Sequence, residues 1–249
     1  MRRYLCILVL IASIVHSFSY KPVVLLHGIL SGADSMSVLK ELIEELHPGT
    51  MVYNCDKFSG WNSLENAWRQ VEQIRDYIDE IGKAHPEGII FLASFLHLIF
   101  PDLAAKTAFE LFYSRVGQHT SVGGYWNDPF KQSLYMKYSE FLPVINNEKI
   151  STNSTDFKKA LVRLEKMVMV GGPNDDVITP WESSHFGYFN EDLDVVEFNK
   201  RKIFTADLIG LKTLLDADKL KIIVKPRVHH LSWHRQKDVI KEVIMPYLD

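Results

Sequence analysis

Cysteine is almost missing from this sequence: two in 249 residues, at positions 6 and 55. That excludes a disulfide scaffold and a cysteine-rich zinc module. A surplus of either charge is missing too. Twenty-eight Lys and Arg face 31 Asp and Glu, for a formal net charge of −3. A phosphate-tracking surface needs a basic excess, so nucleic acid is not an expected partner. No internal repeat and no low-complexity stretch occurs, which excludes solenoids and disordered linkers. No Gly-x-Ser-x-Gly occurs anywhere. What is present, 47% hydrophobic and 24% charged residues, is ordinary for one globular domain with a sizeable core.

The first residues stand apart. Met1-Arg2-Arg3 is a short positive segment, Tyr4 to Val15 an apolar run, and Ser17 and Ser19 are small residues before a cut. This pattern predicts a secretory signal peptide over 1–19 and a mature domain over 20–249. The run is too short to span a bilayer comfortably, so no transmembrane anchor is expected. A first core strand is the competing reading. Cys55 is then the lone cysteine of the mature chain, either buried or an oxidation liability. Asn153-Ser154-Thr155 is a glycosylation sequon, meaningful only if the chain enters the secretory pathway.

The periodicity alternates. Pro22–Leu26 (PVVLL), Met51–Tyr53 and Ile89–Ala93 (IIFLA) are short apolar runs that read as buried strands. Between them, Val38, Leu42, Ile43 and Leu46 fall at helical spacing, and so do Leu64, Trp68, Val71, Ile74, Ile78 and Ile81. Asn62 and Glu65 suggest a capping box for the second helix. Met167–Val170 and Ile222–Val224 add two later strands, and Val239 to Tyr247 a closing helix. Residues 101–160 read as irregular and aromatic-rich, with one helix from Pro101 to about Phe112. Strand–helix alternation predicts an α/β fold with a mostly parallel sheet.

In such sheets chemistry collects at the carboxyl ends of strands. Three ends are chemically loaded: His27-Gly28-Ile29, the run Gly171 to Asp176, and His229-His230. Acid before histidine is the α/β-hydrolase order. A histidine can take a proton from a weak nucleophile, and an acid fixes its tautomer. Each feature alone has a plainer reading: a glycine turn, a solvated acidic loop, surface histidines. His230 and His234 also have the spacing of two metal ligands on a helix. Leu231 stands where the general-base glutamate of the zinc-peptidase motif would be, so no metal is expected.

Several separate runs, in order, resemble the palmitoyl-protein thioesterase family, nearest its second, lysosomal branch. They are Tyr20 to Val24 with His27-Gly28, His47-Pro48-Gly49-Thr50, and Trp68, Gln70 and Val71. Tyr125-Trp126-Asn127-Asp128-Pro129 and Gly171 to Trp181 follow, then Ser183-Ser184, Phe186-Gly187, Gly210 to Leu215 and Trp233-His234. The resemblance covers about 20–92 and 109–249. It implies an α/β-hydrolase fold and hydrolysis of long-chain acyl thioesters, on an S-acylated protein or peptide or on acyl-CoA. No cofactor is implied, and the location is lysosomal or extracellular. It implies Asp175 as the catalytic acid, His230 as the base and the Ile29 backbone N–H as an oxyanion donor. His229 and His234 have no counterpart in it. The family's cysteine pair in the aromatic segment is replaced by Phe112 and Gly123.

The resemblance breaks after the third strand. There the family carries its serine in a Gly-x-Ser-x-Gly elbow, followed by a helix and another strand. Here Leu92-Ala93-Ser94-Phe95-Leu96 passes almost directly into a later part of the family pattern. Ser94 is a weak substitute, because leucines replace the two glycines that let a helix pack behind the nucleophile. The expected fold is an α/β-hydrolase sheet with its elbow region truncated, and the expected activity is an impaired thioesterase. Two alternatives stand beside it: a non-catalytic lipid- or protein-binding relative, and an exon-skipped or mis-assembled reading of an active gene. The oligomeric state is not legible.

Overall fold

The computed structural model describes the backbone of residues 20–93 and 105–249, and in the second stretch the side chains from 109 onward. The leader over 1–19 and Ser94 lie outside the described residues. Three strands form the first sheet: β1 (Val23–Leu26), β2 (Val52–Cys55) and β3 (Ile90–Ala93). They run parallel in the order β2-β1-β3, with Val23 opposite Val52 and Ile90. Val23, Val24 and Leu25 are fully buried, as expected of a central parallel strand covered on both faces.

The helix Ser37–Leu46 connects β1 to β2, and Ala67–Ala84 connects β2 to β3. Leu39 and Ile43 of the first pack with Val23 and Leu25. The second is capped four residues later than the expected Asn62. Gly60–Leu64 forms a 3₁₀ turn instead, and Asn66 caps the helix by accepting from Trp68 N (3.0 Å) and Arg69 N (3.3 Å). Cys55 is buried at the end of β2, and burial pushes its thiol up.

The helix expected to end near Phe112 is present as Ala105–Phe112, its expected start at 101–104 lying outside the described residues. The rest of the stretch, expected to be irregular, holds short helices at 115–118, 121–125, 132–138 and 142–145, and a longer one, Ser154–Val162. An aromatic cluster of Phe112, Tyr113, Trp126 and Tyr135 is its core. Phe112 and Gly123 lie side by side: a Cβ on Gly123 would sit 3.1 Å from the Phe112 carbonyl oxygen. The buried Gln118 amide donates to both their carbonyls, at 2.7 and 2.8 Å, and accepts from Glu140 N at 2.8 Å.

Beyond it, β4 (Met167–Gly171) pairs with the later strand β7 (Leu220–Val224) in a second parallel sheet. The two-residue strands β5 (Tyr188–Phe189) and β6 (Val195–Val196) form a small antiparallel pair between them in sequence. Among the described residues no strand joins β3 to β4, so the parallel sheet expected as one stands as two. Lys21, just before β1, is ion-paired with Glu165, just before β4, which brings the amino ends of these two strands together. The helix Lys237–Val243 bridges the sheets. Its Ile240 packs with Val23 and Leu25, and its Val239 and Val243 pack with Val170 and Ile223.

Candidate active site

β4 ends at Gly171, and the next residues turn sharply across the top of β7. A Cβ on Gly172 would lie 2.0 Å from the Lys225 carbonyl oxygen, so only glycine fits there. The loop that follows is sewn to the loop after β7 by three consecutive side chains. Asn174 Oδ1 accepts from Arg227 N at 2.8 Å, and Asp176 Oδ1 accepts from His230 N at 3.0 Å. Between them, Asp175 meets His230: Nδ1 lies 3.0 Å from Oδ2 and 3.1 Å from Oδ1.

Asp175 is fully engaged. Its Oδ1 also accepts from Val177 N (3.0 Å) and Ile178 N (2.9 Å), and its Oδ2 from the Trp233 indole (2.9 Å). The side chain is only 6% exposed, and that of His230 17%. Burial on its own would raise the Asp175 carboxyl. The N–H of Ile178, the His230 ring, the N–H of Val177 and the Trp233 indole outweigh it and hold the group below its ordinary value. The carboxylate therefore fixes His230 with Nδ1 as the donor, which leaves Nε2 as the acceptor on the other side of the ring.

The remaining histidines are placed differently. His229 is exposed, and its Nδ1 stays 3.8 Å from Asp176. His234 sits in the next turn, and its burial lowers its pKa. Among the described residues no group of three or more His, Cys, Asp or Glu could hold a metal ion. His27, at the end of β1, is buried and contacts the carbonyls of Gly28 (2.9 Å) and Lys57 (3.0 Å). Among the described residues nothing accepts the Ile29 N–H, while Leu30 N donates to Ser63 Oγ at 2.7 Å. A depression of about 390 Å³ opens beside this turn, lined by Leu30, Ser31, Asp34, Ser35 and Ser59. Trp233 was legible in the sequence only as part of a family run. Its hydrogen bond to Asp175 has no signal there, because the two residues lie 58 positions apart and no spacing links them.

Comparison with known proteins gives the family. The profile described as palmitoyl protein thioesterase matches in two pieces, residues 22–94 and 83–230. A Drosophila melanogaster protein named lysosomal thioesterase PPT2 homolog is 64% identical, over 96% of this chain and 95% of its own length. Lysosomal thioesterase PPT2-B of Xenopus laevis is 35% identical over the whole of both chains. The human lysosomal thioesterase PPT2 is 32% identical over 98% of this chain and 93% of its own. The Drosophila alignment has 274 positions, yet 96% of 249 residues is about 239, so about 35 positions of that alignment hold no residue of this chain.

Proposed function

The chain belongs to the palmitoyl protein thioesterase family, and from that premise we propose that it carries the acid–base half of a thioesterase site without the nucleophile half. Asp175 is the acid and His230 the base. The Ile29 N–H is one oxyanion donor, and the substrate is a long-chain acyl thioester of a protein, peptide or coenzyme A. In a complete site, His230 Nε2 takes the serine proton as the hydroxyl attacks the thioester carbonyl. Asp175 stabilises the resulting imidazolium, and backbone N–H groups hold the oxyanion.

The observation that carries the reading is the double family match meeting at 83–94, beside an intact acid–histidine contact. It supports placing the roughly three dozen missing positions directly after β3, where the serine elbow belongs. Ser94 remains the one serine at that strand end and a poor nucleophile. Without an elbow, oxyanion and binding contributions remain, on the order of 10³–10⁴-fold over water in serine-hydrolase precedent.

The relatives named lysosomal thioesterases support a secretory route ending in the lysosome. Asn153, exposed at the start of its helix, is the glycan acceptor on that route. The test is hydrolysis of palmitoyl-CoA by this chain and by the Drosophila relative, with fluorophosphonate labelling of both. Turnover at least a thousandfold lower and no label are expected. Labelling of Ser94 with turnover within tenfold of the relative would overturn the reading. Binding of the acyl thioester without turnover is the second reading; tight palmitoyl-CoA binding in the absence of hydrolysis would select it.

A further inference from the structure

The loop that delivers His230 delivers a second donor to the same carboxylate. His230–Ser232 is a 3₁₀ turn, and Trp233 continues it at φ −54° and ψ −37°. Side chains three apart eclipse on a 3₁₀ turn, so His230 and Trp233 project together. Both ring N–H groups meet Asp175 Oδ2, at 3.0 Å from His230 and 2.9 Å from Trp233. The indole has no acceptor, so the direction of its hydrogen bond is fixed whatever tautomer His230 adopts.

The geometry points to Trp233 as a positioning residue that locks the Asp175 carboxylate in the plane in which it receives His230 Nδ1–H. The inference rests on the reading of Asp175 and His230 as the acid–base pair. Oδ1 is held by the N–H groups of Val177 and Ile178. A carboxylate held by backbone on one oxygen can still tilt about its Cβ–Cγ bond. A donor on the other oxygen removes that freedom, and Trp233 supplies one that does not titrate.

The indole is itself anchored. Its ring packs with Val228, Val239 and Val243, the last two from the helix that bridges the two sheets. Its Cη2 edge lies 3.5 Å from where a Gly172 Cβ would be. At that distance the indole would be in ordinary contact with a Cβ, so the Lys225 carbonyl alone requires glycine at 172, while the indole packs over the acid loop. The same side chain ties the acid loop, the histidine loop and the closing helix together.

The readouts do not depend on turnover. The first is the low-field proton on His230 Nδ1 and its exchange with water; the second is the titration of the Asp175 carboxyl carbon, both by NMR on the full chain. Trp233 is replaced by Phe and, by semisynthesis, by 3-benzothienylalanine, which keeps the ring size but has no N–H. The benzothienyl variant guards against a Phe variant that fails to fold. It should raise the Asp175 titration midpoint and speed exchange of the His230 proton about tenfold, the share of one hydrogen bond to a charged group. An unchanged midpoint and exchange rate in that variant would overturn the role of Trp233, provided Asp175→Asn abolishes the low-field proton. If Asp175→Asn leaves that proton in place, the acid–base reading fails as well.

Discussion

At the residue scale, Asp175 and Gly172 set the site. Asp175→Asn removes a carboxylate that accepts two backbone N–H groups, an indole and an imidazole. The Asn amide group would also face the Trp233 N–H. A loss of about 1.5–3 kcal/mol at neutral pH is expected, the worth of a hydrogen bond to a charged group. The pH dependence follows from the lowered Asp175 pKa. A carboxyl depressed on folding stabilises the native state above its unfolded pKa of about 3.9. That stability is lost as pH falls through the native pKa, so the difference between Asp175 and Asn should shrink below about pH 4. Urea unfolding at pH 7 and pH 3 checks both the size and the sign. Gly172→Ala should cost about 1–3 kcal/mol, because its Cβ would meet the Lys225 carbonyl, backbone that cannot swing away. Asp175 and His230 were legible as ends of two strands in hydrolase order. Their contact across 55 positions was expected from that order and the family resemblance; the parallel register of β4 beside β7 that brings it about was not.

At the element scale, strands and helices followed periodicity, and their ends followed details that periodicity does not carry. Asn62 and Asn66 both precede the Ala67–Ala84 helix, and the 3₁₀ turn at Gly60–Leu64 hands the cap to the second. Asn66→Ala should cost about 1 kcal/mol, measurable by thermal unfolding, whereas Asn62→Ala should be close to neutral. The aromatic segment resisted reading because its helices are short and its core is aromatic rather than periodic. A polar network sits beside that core. The buried Tyr135 hydroxyl donates to Glu148 at 2.6 Å, and Arg201 lies 3.8 Å from the same carboxylate and 5.6 Å from the Tyr188 ring. Tyr135→Phe leaves that carboxylate with one donor fewer in a half-buried place, so a loss of about 1–3 kcal/mol is expected in urea unfolding. Gln118 holds Phe112, Gly123 and Glu140 through three neutral hydrogen bonds at the site where the family resemblance puts a cysteine pair.

At the scale of the whole molecule the decisive feature is the break between β3 and β4. Central parallel strands are normally buried on both faces. β1 meets that standard, but none of the four β3 residues is fully buried, and Phe91 is 40% exposed. Val24, the neighbour of Phe91 on β1, nevertheless stays fully buried, so exposure is confined to β3 and does not reach the middle of the first sheet. Each large side chain left in water forfeits on the order of 1.5–3 kcal/mol, against about 5–15 for a whole domain. Among the described residues, the two sheets are joined by the helix Lys237–Val243 and the Lys21–Glu165 pair and by no ladder of hydrogen bonds. The chain should therefore unfold broadly and bind a hydrophobic dye before heating. A chimera that inserts the unmatched positions of the Drosophila relative after Ala93 should supply the absent strand, helix and serine together. It should unfold in one sharp transition, at least about 10 °C higher, since a few kcal/mol moves the midpoint by that much in a domain of this size. It should also lose the dye signal and label with fluorophosphonate. If the parent chain instead unfolds sharply above about 55 °C, within the usual mesophile range, then β3 is covered in solution and the break costs chemistry alone. If the chimera sharpens but takes no label, Asp175 and His230 are held too far from the restored serine.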